Sequence, residues 1–132
     1  MELEVGQAMI SKRVFAQSDF DRFAALSGDD NPIHVDAEFS ARTHFGRTAA
    51  HGMLLYATLC GVLDSRWPGA RQIEQELVFP NPTYVDEQVT VRLEVTQVRA
   101  EQQLAWLNTT LVKADGTVGC EGKTVVQLPE EE

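Results

Sequence analysis

The sequence predicts an α+β domain in which an antiparallel sheet wraps around one long buried helix. An apolar stretch from Gly52 to about Arg66 is too long for a typical strand. Four segments rich in Val, Leu and Thr follow it, and turn-forming residues separate them. The length of 132 residues suits one domain, which we place at residues 1–132.

The N-terminal part predicts a strand and then a helix. Residues 5–15 have a mixed apolar pattern that is compatible with an opening strand. Ser18 or Asp19 can cap a helix that ends at Gly28, because glycine accepts the left-handed backbone found after helices. The predicted inward face of this helix consists of apolar residues, namely Phe20, Phe23, Ala24 and Leu26.

Two further helices are predicted before the strands. The first covers residues 36–43, with Asp36 as its cap and Phe39 facing inward. The second is the stretch from Gly52 to about Arg66, which is apolar almost all round. A helix of that kind is buried on most of its surface.

Four strands are predicted in the second half, at residues 72–79, 88–99, 103–113 and 117–128. The Asp115-Gly116 pair between the last two is a strong hairpin signal. With the opening strand they form a five-stranded antiparallel sheet, which must wrap the central helix to cover it. This arrangement is the hot-dog fold. A single sheet of this kind leaves an edge and an apolar flank uncovered, which predicts a homodimer.

Composition excludes several classes of partner. A net charge of −9 and a pI near 4.7 repel a nucleic-acid backbone, so nucleic acid is not an expected partner. Cys60 and Cys120 have neither zinc-ligand spacing nor the pattern of a disulfide framework, and they fit a reducing compartment. No leader and no apolar run of about 20 residues is recognised, so we expect a cytoplasmic protein without membrane contact.

The segment Ser27 to His34 contains a carboxylate and an imidazole across a forced bend. Gly28 permits a positive φ, and Pro32 prevents the preceding helix from continuing. In such a bend Asp29 and His34 can face the same space and hold a water molecule. The alternative is that Asp29 or Asp30 caps a turn or a helix and His34 is an ordinary loop histidine.

The start of the central helix offers a second candidate site. Gly52 is the first helical residue, so its backbone N–H has no partner within the helix and the helix dipole favours negative charge beside it. The alternative role of Gly52 is a close contact between helix and sheet. We interpret His51 as a structural residue at the helix entrance, and His44 as a solvated or packing residue.

These motifs together resemble a known family. The run Phe23-Ala-Ala-Leu-Ser-Gly-Asp29-Asp-Asn31-Pro32-Ile-His34, followed by His51-Gly52-Met53, resembles the MaoC-like, R-specific enoyl-CoA hydratases. The likeness extends to an early Leu-Glu-Val-Gly-Gln and a closing Val-Val-Gln-Leu-Pro. It implies the hot-dog fold and the addition of water to a trans-2-enoyl-CoA, or the reverse dehydration.

The resemblance implies a role for each site residue. Asp29 would be the base that takes a proton from water, and His34 would position the water and donate a proton. Asn31 would support them as a polar group of the same loop, and the Gly52 N–H would stabilise the enolate. The neighbouring Asp30 is a second carboxylate that would perturb the titration of Asp29.

One face of the central helix is a candidate acyl pocket. Tyr56, Cys60 and Leu63 recur at spacings of four and three, so they share a face. In the resembling enzymes this face lines the acyl pocket, which makes Cys60 and Leu63 candidates for setting the acyl chain length. Bulk at these positions would favour short chains. The alternative is that the stripe is simply part of the core.

The implied substrate is an acyl-CoA thioester, in which coenzyme A is part of the substrate and no separate cofactor is needed. No glycine-rich phosphate loop is present, and nicotinamide, flavin and metal chemistry have no support in the sequence. Three other functions remain open: a hot-dog acyl-CoA thioesterase, a 3-hydroxyacyl-carrier-protein dehydratase and a non-catalytic acyl-binding subunit. The thioesterase is disfavoured because the central helix has no acidic residue before Asp64.

Overall fold

The computed structural model describes residues 3–130, and these residues form a five-stranded sheet that packs against a long helix. Along the chain, the elements are β1 (Ala8–Val14), α1 (Gln17–Ser27), α2 (Pro32–Val35), α3 (Ala37–Ala41), α4 (Gly52–Arg66), β2 (Arg71–Val78), β3 (Gln88–Arg99), β4 (Leu104–Lys113) and β5 (Val118–Gln127). A short 3-10 turn, Ala100–Gln102, joins β3 to β4. None of the helices in this part of the chain is long and apolar enough to cross a bilayer.

The five strands form one antiparallel sheet in the order β1-β3-β4-β5-β2. Strand β2 does not pair with β3, its successor in sequence, but with β5 at the far side of the sheet. Strands β3, β4 and β5 follow one another through short connections, as the sequence predicts. The five-stranded hot-dog architecture is therefore confirmed, with β1 and β2 as its two edges.

Helix α4 has the predicted bounds, and its apolar side packs on the sheet. Leu55, Leu59 and Leu63 are buried in the core with the inward residues of β3, β4 and β5. Burial is less complete than predicted, because Met53 is 52% exposed and Ala57 and Gly61 also face outward. One sheet covers only one side of a helix, so a stripe of α4 remains uncovered.

Two details of helix α1 differ from the prediction. The N-cap residue is Ala16, and Asp19 acts from the third helical position, where its carboxylate accepts a hydrogen bond from the Ala16 N–H. Phe20 and Ala24 face the core as predicted, but Leu26 is 85% exposed. Leu26 lies two positions beyond Ala24, which on a helix is about 200° around the axis.

The segment after Gly28 contains an additional helical turn, α2, that the sequence did not predict. Helix α3 follows it, and the Asp36 side chain caps α3 by accepting a hydrogen bond from the Phe39 N–H. Phe39 does not face inward, because 38% of it is exposed. A five-residue helix has too few residues for apolar spacing to define its buried face.

Candidate functional site

The bend between α1 and α2 presents Asp29 to solvent. Gly28 ends α1 in the left-handed conformation with φ of 82°, and its N–H returns to the Ala24 carbonyl. The Asp29 N–H donates to Ser27 Oγ at 3.2 Å. The Asn31 side chain caps α2 by accepting a hydrogen bond from the Ile33 N–H at 3.1 Å. Asn31 thus stabilises the turn that places His34.

Asp29 and His34 lie side by side, as the bend predicts. Asp29 Oδ2 is 3.9 Å from His34 Nε2, which is too long for a direct hydrogen bond. The Asp29 side chain is 57% exposed, whereas that of His34 is largely buried. The carboxylate is therefore open to solvent at the rim, and the imidazole forms the inner wall.

The backbone around Ala49 fixes the orientation of the His34 ring. His34 Nδ1 lies 2.7 Å from the Ala49 carbonyl oxygen, which can only accept, so Nδ1 carries the proton. The Gln17 side chain also donates to the His34 carbonyl at 2.9 Å. In neutral His34 the free lone pair is consequently on Nε2, facing Asp29.

His51 completes this side of the site. Its side chain is buried, and its Nε2 lies 2.8 Å from the main-chain oxygen of Asp29. Its ring stacks on the His34 ring with centroids 3.8 Å apart. Burial lowers the pKa of His51, while the hydrogen bond to the Asp29 carbonyl opposes this effect. Burial has the larger effect, so the pKa of His51 lies below its ordinary value and the ring is neutral at neutral pH.

Within residues 3–130, one group of side chains brings together atoms of the kind that bind cations. The candidate atoms of Asp29, His34 and His51 all lie within 4.8 Å of one another. The two rings, however, are stacked with an interplanar angle of 21°, so their in-plane lone pairs run nearly parallel instead of converging. A cation about 2.1 Å from one nitrogen of each ring would require the two rings to rotate away from this stacked arrangement. The observed arrangement therefore does not favour a metal.

Gly52 begins α4 directly after His51. A Cβ on Gly52 would lie 2.9 Å from the tip of the Phe79 ring, so the glycine allows this partly exposed side chain to pack directly against the start of α4. The first N–H of α4 also has no acceptor within the helix. Gly52 thus makes the close packing contact that the sequence left as an alternative, and it still offers a backbone donor.

Two neighbouring cavities adjoin these groups. One, of about 480 Å³, is lined by Asn31, His34 and Phe39 among others, and the second, of about 300 Å³, by Gly52, Phe79 and Thr83 among others. They share a wall made of Phe45, Ala50 and Pro82. A larger groove of about 660 Å³ between β1 and α4 touches none of the predicted site residues, and we do not assign it to the same site.

The two predicted acyl-pocket residues lie farther along α4. Cys60 and Leu63 are 8 and 11 positions beyond Gly52, or about 12 and 16 Å along the helix axis. Gln72 on β2 donates to Cys60 Sγ at 3.0 Å and accepts a hydrogen bond from the Tyr56 hydroxyl. Burial, with the nearby Cys60, raises the pKa of Tyr56 to about 12. Leu63 belongs to the core, and the acyl-pocket role of both residues stays a prediction.

Some neighbours of the site are not identified by local sequence patterns. Phe79 follows β2 and reaches Gly52 only because β2 lies at the edge next to β5. His51 contacts Asp29 across 22 residues of chain. The only signal for His51 was its position immediately before a glycine that starts an apolar helix.

Comparison with known proteins supports the family suggested by the motifs. A family model described as a MaoC like domain matches residues 4–116. An (R)-specific enoyl-CoA hydratase from Aeromonas caviae is 42% identical over 130 residues, which are 96% of each chain. A 3-hydroxybutyryl-CoA dehydratase from Methylorubrum extorquens is 38% identical over 99% of this chain and 84% of its own.

The fold is also close to that of a solved structure. An (R)-hydratase from A. caviae, described as involved in PHA biosynthesis, superimposes with a TM-score of 0.92. The superposition has 38% identity and covers 96% of this chain and 98% of that one. The family match, the relatives and the fold agree, and the chain belongs to the MaoC-like domain family.

Proposed function

We propose that this protein catalyses the R-specific hydration of trans-2-enoyl-CoA to (R)-3-hydroxyacyl-CoA, or the reverse dehydration. The observation that carries the proposal is the 3.9 Å gap between Asp29 Oδ2 and His34 Nε2. The enoyl-CoA hydratase and dehydratase relatives support the same hydro-lyase chemistry. PHA biosynthesis, named for the A. caviae enzyme, and fatty acid metabolism are two settings that use such a reaction.

The gap has the size of a shared water molecule. A water oxygen about 2.8 Å from each of these two atoms, which are 3.9 Å apart, would have an angle of about 90° between its two contacts. That angle is close to the tetrahedral angle between the hydrogen-bonding directions of a water molecule. One water can therefore donate a hydrogen bond to Asp29 and accept one from Nε2–H of protonated His34, and its remaining lone pair points away from both groups toward a substrate.

In the proposed reaction, Asp29 accepts a proton as the water oxygen forms its bond to C3. The C2=C3 electron pair moves toward the thioester, and C2 is then protonated by Nε2 of His34 in its imidazolium form. Asp29 afterwards returns its proton to His34 through the next water, so that protons balance over one turnover. Each such group typically contributes about 10²- to 10⁴-fold in rate.

The thioester oxygen gains negative charge during this attack. The first N–H of α4, from Gly52, lies at the positive end of a 15-residue helix. Gly52 also lines the cavity that shares a wall with the His34 cavity. A donor of this kind contributes roughly 3 kcal/mol to transition-state stabilisation.

Crotonyl-CoA tests the function directly. We expect the enoyl absorbance to fall without release of free thiol, and the product to be (R)-3-hydroxybutyryl-CoA. Release of thiol would instead identify a thioesterase. Faster turnover of the same acyl group on a carrier protein would identify a carrier-protein dehydratase, and absence of turnover on both carriers would indicate an acyl-binding subunit.

Replacing Leu63 by Ala tests the acyl pocket. If Leu63 limits the pocket, the smaller side chain should raise kcat/KM for longer enoyl chains relative to crotonyl-CoA. Because Leu63 is buried in the core, the variant should also lose about 2–5 kcal/mol of stability. The ratio of kcat/KM between chain lengths is therefore the measurement, since it does not depend on the folded fraction. An unchanged ratio would contradict the assignment.

We further propose that the enzyme is a homodimer that associates through strand β2. This strand pairs only with β5 within the described sheet, and Ile73, Val78 and the adjacent Phe79 are apolar residues that are 41–55% exposed. A free apolar edge of this kind is typical of an interface. Light scattering should give twice the chain mass of 14.7 kDa, and a monomer at micromolar concentration would contradict this proposal.

We also propose a cytoplasmic enzyme that needs no cofactor. Cys60 and Cys120 are both free cysteines, which fits a reducing compartment. Proton transfers by Asp29 and His34 supply every step of the proposed reaction. Activity should therefore survive extensive dialysis against a chelator.

A further inference from the structure

The imidazole of His51 is a buried titratable group that the proposed reaction does not use. Its side chain is 2% exposed, and His51 is the N-cap residue of α4. Its side chain makes no capping hydrogen bond, although Asn, Asp, Ser and Thr are the residues that favour this position. Helix capping therefore does not explain why a histidine stands here.

The contacts of His51 are directed at the two residues of the reaction. Its Nε2 is 2.8 Å from the main-chain oxygen of Asp29, and because a carbonyl only accepts, Nε2 donates. One ring face stacks on His34 at 3.8 Å, and the Phe23 ring supports His51 at a centroid distance of 4.8 Å. The ring thus touches Asp29 and His34 at once.

In the described chain, only one of the two ring nitrogens of His51 forms a hydrogen bond, so a need for two hydrogen bonds does not explain a histidine at this position. Nδ1 is buried and has no hydrogen-bond partner among residues 3–130. Asp29 and His34 are the titratable groups that act on the ring, and burial lowers its pKa despite the hydrogen bond to Asp29. The ring is therefore neutral with its proton on Nε2. Among the residues that the structure describes, the Asp29 carbonyl is the one hydrogen-bonding partner of the His51 side chain.

We propose that His51 is a positioning residue, which holds the Asp29 backbone through Nε2–H and so sets the gap between Asp29 and His34. The inference rests on the proposed function. The Asp29 side chain is more than half exposed, and it accepts one long hydrogen bond, at 3.5 Å, from the Asn31 N–H. Its backbone is held at two points, by Ser27 Oγ at the N–H and by His51 at the carbonyl. Without the hydrogen bond from His51, the Asp29 carbonyl is no longer held, and the bend that carries the Asp29 carboxylate can move.

A matched pair of amides tests this role. In His51→Gln, the amide nitrogen can reach the position of Nε2 and donate to the Asp29 carbonyl. In His51→Asn, the side chain is one methylene shorter and does not reach it, but Asn is a favourable N-cap. We expect kcat of His51→Asn to fall about 10- to 100-fold, the scale of a misplaced catalytic group. We expect His51→Gln to stay within about threefold of the wild type, with KM changed little in either.

Stability separates positioning from a merely structural role. Both amides lose the stacked ring, and Asn regains part of that loss as an N-cap, so the melting temperature of His51→Asn should be no lower than that of His51→Gln while its kcat is lower. A kcat within about twofold of the wild type, equal losses in both amides, or losses that follow the melting temperature would each overturn the inference. If His51→Asn does not fold, His51→Phe retains the stacked ring without the donor and should show the same loss of kcat.

A double substitution tests whether His51 affects the rate through Asp29. If His51 acts through Asp29, adding His51→Asn to Asp29→Asn should lower the residual rate by no more than about twofold. If the fold-losses in kcat of the two single variants instead multiply in the double variant, His51 does not act through Asp29. An inactive wild type would refute the proposed hydratase function, whereas an active wild type with an equally active His51→Asn would refute only the role of His51.

Discussion

Replacing Asp29 by Asn should lower kcat for crotonyl-CoA by about three orders of magnitude, and His34→Ala should do the same. Asn has the shape of Asp but is not a base, and Ala removes both the water contact and the proton donor. Neither change should unfold the protein, since Asp29 is exposed and the His34 backbone is held by Gln17. The rate of loss of the enoyl absorbance measures both effects.

The double variant and a neighbouring carboxylate provide the controls. If Asp29 and His34 act on one shared water, their losses should not multiply. The kcat of the double variant should then lie within a few-fold of that of the slower single variant. Asp30→Asn removes the adjacent carboxylate, which forms no ion pair or hydrogen bond in the described part of the chain. It should retain kcat within about twofold. An active double variant would refute the proposed mechanism.

Most of the fold follows from local patterns. Helix α4 has the predicted bounds because an unbroken apolar stretch starts at Gly52 and ends before Trp67-Pro68, and all five strands lie within or near their predicted ranges. The position of β2 beside β5 depends instead on how the chain crosses the sheet between Phe79 and Glu87. Local spacing does not specify that crossing, and it also misassigned the exposed Leu26 and Phe39.

In the candidate site too, local contacts were predictable from the sequence and a long-range contact was not. Asp29 and His34 were predicted to adjoin because Gly28 and Pro32 force a bend between them, and the structure places them 3.9 Å apart. The contact between His51 and the Asp29 carbonyl arises when α4 packs against that bend. It joins distant parts of the chain, so the sequence indicated only that His51 stands at a helix entrance.

Replacing Gly122 by Ala should cause the largest loss of stability of any glycine substitution proposed for this chain. Gly122 lies on β5 opposite Leu77 of β2. A Cβ at this position would lie 1.8 Å from the main-chain oxygen of Glu76, which a side-chain rotation does not relieve. Strand β2 must shift away from β5, at a cost of about 2–4 kcal/mol. The melting temperature should fall by roughly 10 °C.

Gly61 provides the control, because replacing it by Ala makes the same chemical change without a backbone clash. Gly61 lies in α4 with open space where its Cβ would stand, so Gly61→Ala should stabilise the protein by about 0.5–1 kcal/mol. A Gly122→Ala variant that melts within about 2 °C of the wild type would show that the β2–β5 pair adapts freely. Because β2 also bears Gln72, which contacts Cys60, and leads to Phe79, which covers Gly52, its displacement should alter acyl chain selectivity as well as dimerisation.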